Sequence, residues 1–242
     1  SLHCRGCCKA YVAETFRQAE LLFAKKKFFQ ELKCIMKWAP LWCPFFFCKP
    51  SADPHQLPTR FSILLFSMKY LLDGQETERL HFRKLQPDDF SGWLEFFRNP
   101  KAIRFWNYQT TDPEQLCKNW FTKTFERYEQ NTGGMNILLD KHTGELIGQA
   151  GLCIQIVDDQ EELEIGYSIL PKYWNFGFAS EAALCCKEYA FENNFSETLI
   201  SIIHENNIGS QQAAIRNGMS IEKSTIYAGN PVLIFRIEKT HK

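Results

Sequence analysis

The sequence predicts an α/β (α+β) fold: a mixed, mostly antiparallel central sheet of about seven strands, with one splayed parallel pair and helices on its flanks. Three observations carry this. Residues 135–170 hold successive apolar stretches joined by very short turns, the mark of an antiparallel meander. Residues 164–203 then run strand, helix, strand, an order that demands a right-handed crossover and a parallel pair. Gly229-Asn230-Pro231 lies between two further apolar stretches and reads as a hairpin.

The elements follow in order. Glu78 to Leu85 alternates and makes a first strand. Gln86-Pro87-Asp88-Asp89 opens a helix, because proline suits the first turn and the helix dipole favours acids there. Phe90, Trp93, Leu94 and Phe97 line its apolar face, and Asn99-Pro100 ends it. Asp112-Pro113-Glu114-Gln115 starts the next helix, with Asp as N-cap and Pro at the first helical position. It runs to Gln130 and buries Leu116, Trp120, Phe121, Phe125 and Tyr128 as core. Phe105, Trp106 and Tyr108 sit between these helices and either join that core or line a substrate mouth. Strands at Met135–Asp140 and Glu145–Ile156 follow, and the glycines at 148 and 151 suggest a bend or bulge. Asp158-Asp159-Gln160 turns the chain into the third strand of the meander. After the crossover helix comes a strand at Thr198–Ile203. Asn207 then caps a helix from Ile208 to Asn217, which Gly218 ends. Strands Ser220–Tyr227 and Val232–Glu238 close the chain.

Composition divides the sequence. Residues 68–242 read as one ordinary domain, and residues 1–67 as an extension, poorly ordered or non-native. The extension holds most of the ten cysteines (Cys4, Cys7, Cys8, Cys34, Cys43, Cys48), a KKK run, an FFF run and a spread of prolines from Pro40 to Pro58. Glu14 to Met36 suits a helix there, the apolar piece Phe61–Phe66 is too short to span a membrane, and Met68 suggests where the natural chain begins. Cys4-x-x-Cys7 with Cys43 and Cys48 resembles no ordinary zinc spacing, and no histidine pairs with it, so no metal is expected. Lys+Arg and Asp+Glu are both 28, which leaves no basic stripe to argue for nucleic acid. No apolar run approaches the roughly 20 residues that cross a bilayer, so no membrane partner is expected.

The chemistry concentrates in LEIGYSILPKYWNFGFASEAALCCKEYA, residues 163–190. A strand ends at Pro171, and Trp174-Asn175-Phe176-Gly177-Phe178-Ala179 then leads into a helix with no internal proline or glycine, Ala179–Asn193. A loop of this kind points free N–H groups at one spot, and the helix dipole adds positive potential, so the site suits a phosphate or pyrophosphate.

Two stretches together carry a resemblance. ELEIGYSILPKYWNFGFASEAA resembles the acyl-CoA loop of the GNAT superfamily of N-acetyltransferases, and ENNIGSQQAAIRNGM resembles its second signature. The likeness covers about residues 76–238 and looks like the branch of ribosomal-protein N-terminal acetyltransferases. It implies a GNAT-like fold, with acetyl-CoA as co-substrate and an amine as acceptor, in a cytoplasmic monomer or homodimer. It implies that main-chain N–H groups from Asn175 through Phe176, Gly177, Phe178 and Ala179 to Ser180 hold the CoA pyrophosphate, with Trp174 in the loop's first place. The main chain at Ile169 and Leu170 would pair with the pantetheine arm like a missing strand, and the Ile169 N–H would face the oxyanion. Asn207 would hydrogen-bond the pantetheine amide or the substrate, beside its N-cap role. Ser210 would donate to the departing thiolate, or is simply a first-turn serine. Many relatives use a tyrosine here, and Ile208–Asn217 contains none. Glu164 is the general-base candidate, through water, against a solvated or salt-bridged strand carboxylate. His204 is a second candidate, against a surface or capping histidine. Cys185 and Cys186 read as small core residues, not nucleophiles. The expected reaction is acetyl transfer to a primary amine, at a protein N-terminus or on a small molecule, by direct attack. The competing reading is a non-catalytic acyl-CoA sensor or interaction module.

Overall fold

The computed structural model describes residues 69–107 and 110–240. The extension, its cysteine set, the Glu14–Met36 helix, Phe61–Phe66, Met68 and Tyr108 lie outside the described residues.

The strands are β1 (Leu80–Lys84), β2 (Gly133–Asp140), β3 (Leu146–Val157), β4 (Gln160–Ile169), β5 (Thr198–His204), β6 (Ser220–Tyr227) and β7 (Asn230–Glu238). They form one 7-stranded sheet in the order β1-β2-β3-β4-β5-β7-β6. Neighbours are antiparallel except β4 and β5, as expected for the crossover. Left-handed Asp158 (φ 48°) and Asp159 (φ 63°) form the two-residue turn of the β3–β4 hairpin. In β3 the register slips beside Gly148: Leu138 faces Gly148 and Leu139 faces Leu146, so Ile147 is the extra residue. A Cβ on Gly148 would sit 2.4 Å from the Ser168 carbonyl oxygen, so only glycine lets β3 and β4 meet there.

The helices are α1 (Phe90–Arg98), α2 (Pro100–Ile103), α3 (Pro113–Gln130), α4 (Phe178–Glu192) and α5 (Ile208–Arg216). Two expectations are corrected. Pro87–Asp89 is a separate 3-10 turn that precedes α1. Asn99-Pro100 does not only end α1: the Asn99 side chain accepts from the Lys101 N–H (3.0 Å) and starts the short α2, with Pro100 where a missing N–H costs nothing. Asp112 caps α3 as predicted, accepting from the Glu114 N–H at 3.1 Å.

Both faces of the sheet are covered. Trp93, Phe96 and Phe97 of α1 and Leu116 and Phe121 of α3 pack with Leu85 and Ile137. Phe178, Ala182, Cys186 and Ala190 of α4 pack on the other side with Phe82, Leu152, Ile165 and Leu199. Small residues on the buried stripe of α4 let it lie close to the sheet. Cys186 is fully buried and Cys185 half-buried, as their reading as core residues requires.

Candidate active site

β4 and β5 are parallel neighbours whose recorded pairing is a single position, Glu164 with Ile200. One side-chain bond supplements it, from the Ser201 hydroxyl to the Ile165 carbonyl (2.9 Å). Beyond that point the strands part. β4 stays paired to β3 up to Ile169, and the Leu170 N–H donates to the Ile147 carbonyl (3.0 Å). Antiparallel alternation therefore turns the N–H groups of Tyr167 and Ile169 away from β3, towards the gap. Leu170 differs from the expectation: its N–H is spent on Ile147, and its carbonyl accepts from the Tyr173 N–H (2.8 Å). The gap-facing main chain belongs to Tyr167 and Ile169, not to Leu170. Trp174 also has a defined part. Its indole N–H donates to the Ile169 carbonyl (2.8 Å) and fixes the loop to the strand end.

The loop curls because Asn175 (φ 67°) and Gly177 (φ 86°) are both left-handed. A Cβ at Gly177 would find its nearest neighbour, an Arg79 nitrogen, 3.5 Å away. Glycine is needed for its backbone angle there, not for space. Gly177 is the N-cap of α4 and no side chain caps this helix, so its first N–H groups stay available to a ligand. Arg79 holds the loop from outside. Its guanidinium donates to the Phe176 carbonyl (3.0 Å), lies over the Phe178 ring (4.3 Å) and pairs with Glu181 (2.6 Å). Burial pushes the Glu181 carboxyl up, but bonds from the Thr77 hydroxyl and from the Arg79 main chain and guanidinium outweigh this and hold it below its ordinary value. At the other end, Asn217 Nδ2 donates to the Ser180 carbonyl (3.1 Å) and ties the end of α5 to the start of α4.

Two cavities open onto the gap. One of about 350 Å³ runs from the loop and the first turn of α4 to α5. The other, about 450 Å³, lies against α3 and has Glu164 in its lining. Both are lined by Phe105, Trp106, Tyr167, Ser168, Asn207 and Ser210, so they meet there. Of the sequence candidates, Trp174, Asn175, Gly177 and Phe178 through Ser180 thus gather at the smaller cavity, with Ile169, while Phe176 is exposed and is not part of its lining. Asn207 does cap α5: its side-chain oxygen accepts from the Ser210 N–H (3.3 Å). His204 reads as the capping histidine, since its Nδ1 accepts from the Asn206 N–H (3.1 Å) and its ring stacks on Phe105 (4.9 Å).

Among the described residues Glu164 forms no salt bridge. It is half-buried and accepts from Gln155 Nε2 (2.6 Å). Gln155 Oε1 accepts in turn from Arg127 Nη2 (2.8 Å) and the Tyr227 hydroxyl (2.9 Å). Burial pushes the Glu164 carboxyl up, opposed by the Gln155 bond and the positive charge of Arg127. A carboxylate so placed takes a proton more readily than an exposed one. Cys153 also lines this cavity, but burial pushes its thiol up to about 12, which leaves it protonated and unreactive at neutral pH.

Sequence reasoning missed Tyr167, Gln155, Arg127 and Tyr227. The Tyr167 hydroxyl donates to the Ser210 carbonyl (2.8 Å), so a tyrosine does reach the first turn of α5, from β4 rather than from α5 itself. Its position among the alternating residues of β4, on the face that meets α4, was the one available signal.

A family model for the GNAT acetyltransferase domain matches residues 79–220. The chain belongs to that family. This GNAT protein is therefore an acetyltransferase, with acetyl-CoA as its co-substrate. The match spans both signatures, the sheet up to β5 and all five helices. The protein is similar to the uncharacterized protein YkkB of Bacillus subtilis, 28% identical over 163 residues, covering 66% of this chain and 92% of the relative. Its fold is that of an acetyltransferase from Agrobacterium tumefaciens (TM-score 0.59, 24% identity, 68% of this chain and 94% of that one). It is also that of a structure described as a putative ribosomal-protein-serine acetyltransferase from Vibrio cholerae (TM-score 0.55, 20% identity, 68% and 96%). No helix among the described residues is long and apolar enough to cross a membrane.

Proposed function

We propose that this acetyltransferase moves the acetyl group of acetyl-CoA to a primary amine by direct attack, with Glu164 as the general base. The observation that carries the proposal is Glu164 itself, raised by burial and set in a cavity that meets the loop-side cavity at Tyr167, Ser168, Asn207 and Ser210. The N–H groups from Asn175 to Ser180 receive the pyrophosphate, and those of Tyr167 and Ile169 face the pantetheine arm and the carbonyl oxygen as it gains charge. The amine nitrogen bonds to the acetyl carbon, the carbon–sulfur bond breaks, Glu164 takes the proton from nitrogen, and the thiolate takes one from a hydroxyl, which solvent reprotonates. Ser210 and Tyr167 are the hydroxyls at that end. Among the described residues, Cys153 is the thiol that lines these cavities, and it has no part in this reading because burial holds it protonated. The amine must arrive neutral, which favours α-amino groups, near pKa 8, over lysines, near 10.4. The protein functions in the cytoplasm on this reading.

The test incubates the full chain with acetyl-CoA and a panel of amines, following free thiol. Release that requires an amine, with the matching N-acetyl product by mass, supports the reading. Thiol release that is indifferent to every amine overturns it.

A further inference from the structure

The larger cavity carries more charge than proton transfer needs. Lys123 and Arg127 stand four residues apart on α3, one turn on the same face, and both line it. Neither forms an ion pair among the described residues. Arg127 is held in place by neutral acceptors alone: the Ile154 carbonyl (2.9 Å), the Thr132 carbonyl (3.4 Å) and Gln155 Oε1 (2.8 Å). Lys123 is exposed at the side chain and has no hydrogen-bond partner among the described residues. Among the described residues that line it, Glu164 is the one carboxylate, so that lining is positive, and becomes more so when Glu164 takes a proton. A second amine on the acceptor would meet like charge here, whereas an anionic group would meet two cations. The walls add a flat apolar surface, since Trp106 and Trp120 stack at 5.2 Å with 11° between their planes and the Trp120 indole N–H is anchored on Gln149 Oε1 (2.9 Å). At about 450 Å³ the space suits a molecule the size of an amino acid.

We infer that the acceptor is a small amine that also bears a carboxylate, which Lys123 and Arg127 receive while its amine faces Glu164. This rests on the proposed direct transfer to an amine at Glu164. It adds the selection against polyamines and the residues that make it. Arg127 has two roles, because its guanidinium also orients Gln155, so Lys123 is the cleaner residue to change.

The experiment uses the full chain with three acceptors that share a ring and an amine: phenylalanine, phenylalanine amide and 2-phenylethylamine. Rates are compared at equal concentrations of the neutral amine. Phenylalanine is expected to exceed both others in kcat/KM by about ten-fold. Lys123→Glu should reduce that ratio by about ten-fold and Lys123→Gln by less, with the KM for acetyl-CoA unchanged. A preference for 2-phenylethylamine or the amide, or a ratio unmoved by Lys123→Glu, overturns the inference. A second measurement does not depend on turnover: calorimetric binding of N-acetylphenylalanine and its amide to the CoA-saturated protein. Tighter binding of the acid, lost in Lys123→Glu, supports the anion site even if Glu164→Gln shows that another group takes the proton. Equal binding of acid and amide, or none of either, refutes it even where acetyl transfer to some amine is observed.

Discussion

Replacing Glu164 with glutamine separates catalysis from stability. The amide keeps an oxygen for the Gln155 Nε2 bond of 2.6 Å, so the cavity wall stays in register. What it loses is the ability to take a proton. Removal of a general base typically costs about 10²–10⁴-fold in rate, or about 3–5 kcal/mol of barrier. The expected result is that loss in kcat with the KM for acetyl-CoA unchanged, because the loop from Trp174 to Ser180 is untouched. Stability should move the other way with pH. Burial raises the Glu164 carboxyl, so the folded state favours its protonated form. That favourable contribution is fully present below the unfolded carboxyl value and is lost as pH rises through the raised folded value. The glutamine variant has no such loss. Its melting temperature should therefore gain on the wild type as pH rises out of the ordinary carboxylate range, while the acidic limb of the wild-type kcat/KM profile disappears. Steady-state thiol release and thermal melts across pH measure both. Activity within three-fold of wild type, or a wild-type profile without an acidic limb, would show that Glu164 is not the base.

Other substitutions test the frame around it. Gly177→Val places a branched side chain at φ 86°, a strain of about 1–2 kcal/mol, and blocks the N–H groups before α4; calorimetry should show acetyl-CoA affinity reduced at least ten-fold. Asn207→Ala removes the cap on the Ser210 N–H and should cost about 1 kcal/mol, seen as a melting temperature lower by about 2–4 °C. Arg79→Met releases the Phe176 carbonyl and leaves Glu181 with the Thr77 hydroxyl and the main-chain N–H of residue 79. Since Glu181 is held below its ordinary value, its contribution is present above the unfolded carboxyl value and lost as pH falls through the folded one. The stability gap between wild type and Arg79→Met should therefore shrink in acid melts.

Much of this site is legible along the chain, because its determinants are local. Gly177 before an apolar helix, Asn207 before Ile208, and the order of strand, helix and strand are each readable within a few residues. The caps at Asp112 and Asn207 are visible for the same reason. What stays hidden comes from distant elements. Gln155, Arg127 and Tyr227 belong to β3, α3 and the end of β6, and nothing in their own neighbourhoods says that they converge beside Glu164. Leu170 shows a subtler limit. Which of two adjacent N–H groups faces the gap depends on the β3–β4 register, which runs unbroken from the Asp158-Asp159 turn to Ile169. Asn99 shows competition between signals, as one residue that ends α1 also caps α2.

The two cavities have a kinetic consequence. Both are lined by Tyr167, Ser168, Asn207 and Ser210, while the loop lines the smaller and α3 the larger. On the proposed reaction each substrate has a cavity of its own, so the two are expected to bind in either order. Product-inhibition patterns that show a compulsory order would contradict this.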